Sequence, residues 1–359
     1  MPSGGTLAAG ARLTRVALDS GVRLDGDWIR YVFDQDDFRS DPDQKYVVLT
    51  PARIDSRFDA RATRVAAHAE YSVRRGILTL TPGLRYDHDG FSGQSLWSPR
   101  MAASWQTGQR TRLSAAAGRF YQAPRFLELA TDPANAGLEY ERSTQLVLGA
   151  SRRFRDDLRL SAELYYQALD DLVVIGDRTA GAATNSGEGE TAGVDLMLAK
   201  RMTRKWFGSV TYSFSRSKRD DNRGEGEYDS DFHRPHVFGV FGSWELSDRW
   251  AFSAKWKFVS GRPTDAFVVN ADVFNDPDFL RFSKEITRQN AERLPDFHTL
   301  NVRADYRRRF GRVSLIAFID FINLYDRRNV DSLEWDERRG LNVKEGLEAF
   351  PNFGLKFEF

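Results

Sequence analysis

Cysteine is absent from the 359 residues, and no apolar run approaches the ~18 residues of a membrane-spanning helix. The first absence removes disulfides, thiolate catalysis and cysteine-based metal sites. It also suits an oxidising bacterial compartment. The second excludes a helical membrane protein. Net charge is nearly absent too: 52 basic against 51 acidic residues give +1. No net field is available to hold nucleic acid, and no nucleic-acid partner is expected. Residues 1–10 (MPSGGTLAAG) lack the basic start and apolar core of a secretory signal peptide. The chain is therefore expected either to be intracellular or to have its true N-terminus upstream. What is present is 41% hydrophobic residues, too many for a disordered chain, and 13% aromatics.

Those residues alternate with period two. Leu78, Leu80, Leu84 and Tyr86 share one parity, and Thr79, Thr81, Gly83 and Arg85 the other. Leu158–Tyr166, Trp250–Phe258, Leu300–Tyr306 and Phe353–Phe359 repeat the pattern, with Arg, Lys, Glu and Asp opposite. Alternation of this kind is strand spacing, not helical spacing. The segments are longer than ordinary soluble strands and match the ~9–11 residues of a tilted transmembrane strand. Thirteen strands are expected near 61–74, 77–88, 97–106, 111–120, 140–152, 157–171, 188–201, 205–217, 233–245, 249–259, 295–308, 312–325 and 349–359. Two more are expected near 8–18 and 22–34, followed by a long loop to 60.

Connector lengths choose among all-β folds. Short links (75–76, 107–110, 153–156, 202–204, 246–248, 309–311) alternate with longer ones (89–96, 121–139, 172–187, 218–232, 260–294, 326–348). Short turns on one side and long loops on the other mark an outer-membrane barrel. The expected fold is all-β: an antiparallel transmembrane β-barrel with about 14–16 strands present. Fifteen strands would leave the first and last running the same way, toward the short turns. Single-chain bacterial barrels have even strand counts, so either the count is off by one or upstream strands are missing, the second being favoured. Trp28, Tyr31, Tyr86, Trp97, Trp105, Tyr165, Tyr166, Trp206, Tyr212, Trp244, Trp250 and Tyr325 fall near strand ends. Amphipathic rings prefer headgroup depth, so these residues are read as girdles, although aromatics also suit any half-buried pleated surface.

Several segments then carry a resemblance. LTLTPGLRYD (78–87) resembles an early barrel strand of the TonB-dependent outer-membrane receptors. Phe120-Tyr121-Gln122-Ala123-Pro124 with Glu128-Leu129 resembles that family's Phe-Arg-Ala-Pro box. Asp132-Pro133 through Leu138–Ser143 resembles its Asn-Pro-x-Leu-x-Pro-Glu box, with Asp for Asn and Tyr for Pro. Asn185-Ser186-Gly187 through Gly193-Val194-Asp195 resembles a family hairpin. Ser260-Gly261-Arg262-Pro263, Leu294-Pro295 through Arg303, and Phe321–Tyr325 with Asn329-Val330 resemble later strands. Phe359 resembles the terminal aromatic. The resemblance implies residues 1–359 are the partial barrel, without plug, of a receptor whose barrel has 22 strands and whose plug and TonB box lie upstream.

The function the resemblance implies is energised uptake of a scarce solute across the bacterial outer membrane, most commonly a ferric siderophore or other metal complex. Implied partners are the TonB complex, the plug domain, a small-molecule chelate and outer-membrane lipid. The outer-membrane assembly machinery would read the terminal strand ending at Phe359. No enzyme activity, cofactor or metal is expected, since no nucleophile elbow, P-loop or dinucleotide fingerprint stands out. His233-Arg234-Pro235-His236 places its histidines on opposite strand faces. Haem receptors of the family use a histidine between the two boxes, and residues 125–138 contain none. Asp36-Asp37, Asp170-Asp171 and Asp220-Asp221 are read as solvated charge beside loops. Arg85, Arg100, Glu163, Lys255, Arg303 and Asp305 are read as charge ladders in the wall. Ligand contacts are expected in the long loops, at Arg262, Phe267, Trp335 and Arg338. The alternatives are a passive porin-like channel, with an even strand count and an inward constriction loop, and a soluble all-β protein.

Overall fold

The computed structural model describes residues 4–24, 28–31, 46–49, 54–175, 182–203, 205–273, 280–336 and 340–358. In chain order the strands begin with β1 (Gly5–Leu24), β2 (Trp28–Tyr31), β3 (Tyr46–Leu49), β4 (Ile54–Arg75), β5 (Leu78–Asp89), β6 (Ser95–Gln106) and β7 (Thr111–Gln122). A short helix α1 (Phe126–Thr131) and a 3-10 turn (Pro133–Gly137) follow. Then come β8 (Glu141–Arg155), β9 (Leu158–Ile175), β10 (Ala183–Thr203), β11 (Trp206–Asp220), β12 (Tyr228–Asp229), β13 (His236–Glu245) and β14 (Trp250–Val259). The rest are β15 (Pro263–Val273), β16 (Leu280–Arg293), β17 (Phe297–Phe310), β18 (Val313–Ile322), β19 (Val330–Asp336), β20 (Gly340–Glu345) and β21 (Phe350–Glu358).

One antiparallel sheet dominates. Its hydrogen-bonded order is β1-β4-β5-β6-β7-β8-β9-β10-β11-β13-β14-β17-β18-β21, with β12 pairing only with β11. Among the described residues these fourteen strands form the wall, each beside the next wall strand in sequence. The hairpins β2–β3, β15–β16 and β19–β20 are separate two-stranded sheets within the long connections. All three lie at the same edge of the wall, because each joins strands at the end opposite the short turns.

Two expectations are corrected. The segments near 8–18 and 22–34 are not two wall strands: β1 runs unbroken to Leu24, and Trp28 and Tyr31 lie on β2, off the wall. The path therefore holds an even number of strands. β1 runs toward the loops and β21 away from them, so the first and last strands are antiparallel rather than codirectional. The long connections at 260–296 and 323–349 are also not plain loops, since β15–β16 and β19–β20 occupy them.

Register shows why the pattern demands two unlike faces. Leu160, Leu198, Val210, Val240, Trp256 and Leu300 pair in succession across β9, β10, β11, β13, β14 and β17. One residue away, the parallel row reads Ser161, Met197, Thr211, Gly239, Lys257 and Thr299. The pleat sends these rows to opposite faces. Large side chains of the apolar face stay exposed, Leu164 at 53% and Leu355 at 66%. A contiguous exposed apolar face of this kind belongs against something other than water. Aromatics mark its two borders. Tyr86 and Trp97 pack 4.7 Å apart near the loop edge, and Trp250 and Tyr306 4.9 Å apart near the short turns.

At the short-turn edge Asp157 accepts hydrogen bonds from Thr203 Oγ1 (2.6 Å) and Lys200 Nζ (3.1 Å). The Thr203 hydroxyl and the Lys200 ammonium bring its carboxyl down to about 2. The same ammonium lies 4.2 Å from the Trp206 ring centre, a cation–π contact across the turn.

Among the described residues, Arg85, Arg100, Arg303 and Asp305 of the expected wall charges are ion-paired, whereas Glu163 and Lys255 are not. Glu70, Gly83 and Arg100 stand in one row across β4, β5 and β6. A Cβ on Gly83 would sit 2.8 Å from Arg100 Nε, so the missing side chain lets Arg100 cross β5 and reach Glu70 at 3.1 Å. Arg85 pairs with Asp87 (2.6 Å) and Arg303 with Asp305 (2.7 Å), both two residues along one strand rather than across strands. Asp170 and Asp171 lie within β9 and, still 37% and 40% exposed, both face Arg142, at 3.2 and 3.6 Å.

Candidate functional site at the loop edge

Buried side chains are few, and the ones that anchor the loops concentrate at the loop edge. Leu129 (3% exposed) and Leu138 (5%) form a small core with Leu18, Phe91, Phe126, Val173 and Ala183. α1 packs on β1 and β4, and the following 3-10 turn reaches β10. Asp132 starts that turn by accepting from Ala134 N–H (2.8 Å), and Pro133 follows it with the backbone angle a helical turn wants. Fully buried Asn135 then fastens the segment. Its Nδ2 donates to Glu128 O (2.6 Å), and its Oδ1 accepts from Ala183 N–H (2.6 Å). Asn185 Oδ1 accepts from Glu139 N–H (2.8 Å), and its Nδ2 donates back to Glu139 O (3.1 Å).

Asp89 is the charged centre of this region. It lies three residues beyond Tyr86, outside the aromatic border, and is 3% exposed. Its carboxylate accepts from Arg64 Nη2 (2.9 Å), Tyr140 Oη (2.8 Å) and Phe91 N–H (3.0 Å). Burial alone would raise its pKa. The hydrogen bonds from Arg64, Phe91 and Tyr140 outweigh burial and hold the carboxyl below its ordinary value. Burial, with the Asp89 carboxylate, pushes the Tyr140 hydroxyl up.

A second network spans β11, β12 and β16. Asp229 meets Lys218 (2.5 Å), His233 Nδ1 (2.9 Å) and Arg293. Burial works against ionisation here too, and Lys218 and His233 overcome it, so the Asp229 pKa is lowered. Arg293 also donates to His233 O (3.2 Å) and Gly261 O (3.1 Å). His236 is turned away, onto the apolar face, and bonds Tyr212 Oη at 3.0 Å. The two histidines thus serve different faces, and no group of three potential metal ligands occurs among the described residues.

The third network joins the last two long connections. Arg262 Nη2 donates to Asp331 O (3.2 Å), and Arg327 Nη2 donates to Asp296 O (3.0 Å). Asn323, buried and in the left-handed region at φ 53°, donates to Arg327 O (2.9 Å) and Leu347 O (3.1 Å) and accepts from Arg327 N–H (3.2 Å). Of the four residues expected to contact ligand, Arg262 is therefore a tie between loops as well as a cation. Phe267 lies on β15 with the Lys284 ammonium 4.6 Å from its ring centre. Trp335 lies on β19, where it pairs with Leu341 of β20. Arg338 and Phe359 lie outside the described residues. The structure brings the connections carrying these residues to one edge. It also adds contacts of Asp89, Tyr140, Asn135 and Asn323 that sequence reasoning missed, because partners such as Arg64, Ala183 and Leu347 lie 24 or more residues away.

The family description "TonB dependent receptor-like, beta-barrel" matches residues 4–324. The chain belongs to the TonB-dependent receptor β-barrel family. Its apolar face is thus the lipid-facing side of an outer-membrane barrel wall, and its polar face looks into the lumen. The fold agrees with solved structures of that class. The ferric-catecholate import receptor Fiu of Escherichia coli K12 superposes with a TM-score of 0.71 at 13% identity, over 99% of this chain and 52% of Fiu. The E. coli outer-membrane transporter YddB gives 0.64 at 13% identity, over 98% and 51%. Pseudomonas aeruginosa FpvA, solved with bound pyoverdine–iron, gives 0.63 at 13% identity, over 98% and 45%. The chain spans about half the length of these receptors. No match is found among curated proteins. The family is one of receptors and not of enzymes. Membership sets aside the soluble all-β alternative. The even wall count leaves strand parity unable to separate a receptor wall from a porin-like one, and the family match assigns the wall to the receptor barrels.

Proposed function

We propose that this chain is the loop-bearing wall of a receptor for energised uptake of a scarce solute, a ferric siderophore or a related metal complex, across the outer membrane. TonB and a plug domain would supply the energy coupling and the gate, and the assembly machinery would read the terminal strand at Phe359. The observation that carries the reading is the asymmetry of the wall. Among the described residues the structured connections stand at one edge, those from β5 onward held by buried polar ties, while the other edge has only tight turns. Loops held on a rigid scaffold are where binding residues concentrate. Arg262, Phe267, Trp335 and Arg338 stand as proposed contacts, supported by their place in two connections that Arg262 and Arg327 fasten together.

The test is radioiron uptake in cells stripped of their own ferric-chelate receptors. Cells carrying the chain within its full reading frame should accumulate iron from a ferric chelate only when TonB is present. Uptake that ignores TonB would favour the porin-like reading. No uptake of any chelate tried would sink the assignment of a metal complex as cargo.

A further inference from the structure

We infer that the lipid-facing surface holds a site for one anionic phospholipid of the periplasmic leaflet, with its acyl chain in a groove and its phosphate among Lys205, Arg249 and Arg308. The groove, of about 680 Å³, crosses β13, β14, β17 and β18. Trp206, Trp244, Phe252 and Ile319 wall it, and by register all four belong to the apolar face. One row further from the short turns, Gly208, Gly242 and Ala254 pair in succession. The step down from indole to glycine makes the depression, and a Cβ on Gly242 would meet nothing within 4 Å. A methylene and a water each take about 30 Å³, so the groove has room for roughly twenty such groups, the scale of one acyl chain.

Depth picks the leaflet. Trp206 opens β11 directly after the β10–β11 turn, and Trp244 lies one residue before the end of β13. The groove is therefore at the short-turn border, which in an outer-membrane barrel faces the periplasm. Cations stand just beyond it. Lys205 precedes Trp206 and Arg249 precedes Trp250, each in a short turn. Arg308 has the parity of Leu300, so it stands on the lipid-facing side of β17, four residues beyond Ala304 of the groove. All three are exposed. Among the described residues their side chains make no hydrogen bond or ion pair. Arg308 has only the Phe310 ring, whose centre lies 5.0 Å from its guanidinium. Acids do not cancel these charges. Within 204–205, 246–249 and 311–312 the sole carboxylate is Asp248, against four cations, and Glu245 belongs to the lumen-facing row. Cationic side chains at a membrane surface attract anionic headgroups while their stems lie along apolar surface. Four residues of strand span roughly 13 Å, so a lipid whose phosphate meets Arg308 lays its acyl chain past the Trp250–Tyr306 pair into the groove. A soluble anion would leave the groove unused, and a zwitterionic lipid would gain less from the cations.

The inference rests on the lipid-facing assignment of this surface and not on the uptake reading. For the test, the protein is purified in its full reading frame from outer membranes into dodecyl maltoside. Dioleoyl phosphatidylglycerol or dioleoyl phosphatidylethanolamine is then titrated in, and bound lipid is counted by native mass spectrometry. Wild type should bind phosphatidylglycerol about tenfold or more tighter than phosphatidylethanolamine. Lys205→Gln/Arg249→Gln/Arg308→Gln should lose that preference. Gly242→Leu fills the groove without meeting a neighbour at its Cβ, so it should weaken both lipids together and keep the preference. Arg110→Gln, at another short turn, should match wild type. Resistance to unfolding on unheated gels checks that each variant is folded. No preference in wild type, a preference kept by the triple variant, or lipid affinity unchanged by Gly242→Leu overturns the site. Displacement of bound phosphatidylglycerol by an equal amount of lipid A would give the groove to an outer-leaflet lipid and overturn it too.

Discussion

Two stretches of the same loop edge treat charge in opposite ways. Around Asp89 the charges are matched: the carboxylate is nearly inaccessible and takes hydrogen bonds from Arg64, Tyr140 and a backbone N–H. Around Arg262 the cations outnumber the carboxylate that shares their cavity. The first arrangement suits a clasp, because a buried carboxylate holding three hydrogen bonds fixes geometry. The second suits a contact surface, because its donors remain open. The clasp on β5 and the cavity at β14 stand eight strands apart in the sheet, so each can be perturbed without touching the other.

The contrast can be broken most forcefully at the clasp. Asp89→Ala strands Arg64 and Tyr140 and should destabilise the protein by about 3–4 kcal/mol, read as a lower midpoint of heat-induced mobility shift on gels. An unchanged midpoint would mean that Asp89 holds nothing. Asn323→Ala removes a buried amide that bonds Arg327 and Leu347, and should cost about 2 kcal/mol in the same assay. Trypsin should also cut faster within 323–349 if that amide is the corner of the connection.

Acid sharpens the comparison further. The folded Asp89 carboxyl titrates below the 3.8 of a free aspartate, so its stabilisation is complete above that value and drains away as pH falls through the folded pKa. The wild-type midpoint should therefore fall on acidification below about pH 3.8, and Asp89→Ala should show a shallower fall. Asp229 is shifted in the same direction and accounts for part of the slope that remains. The smallest effect is expected at the open cavity. Arg234→Gln removes a side chain that makes no hydrogen bond or ion pair among the described residues, and should change stability by no more than about 0.5 kcal/mol. A large destabilisation there would show that Arg234 is part of the scaffold after all.

Much of the wall was legible along the chain. The spacing near 77–88, 97–106 and 249–259 predicts β5, β6 and β14 to within two residues, because the alternation of side chains is a local property of the pleat. Arg309–Gly311 and Leu246–Asp248 announced tight turns by their brevity. The motifs at Phe120–Pro124 and Ser260–Pro263 pointed to the right family. Misreading began where local signals run out. Nothing within 8–34 says that one strand continues to Leu24 while the next short piece leaves the wall, since that depends on whether β4 is long enough to pair with all of it.

The sequence by itself therefore determined the strands, their two unlike faces, the alternation of turns and loops, and the family. Only the tertiary structure decided which residues meet: Arg64 with Asp89 and Tyr140, Glu70 with Arg100 across Gly83, Arg262 with Asp331, and three cations around one cavity. The physical reason is that alternation is set by neighbouring backbone dihedrals, whereas these meetings depend on register between strands and on connections that fold back across the loop edge, which no short stretch of chain encodes.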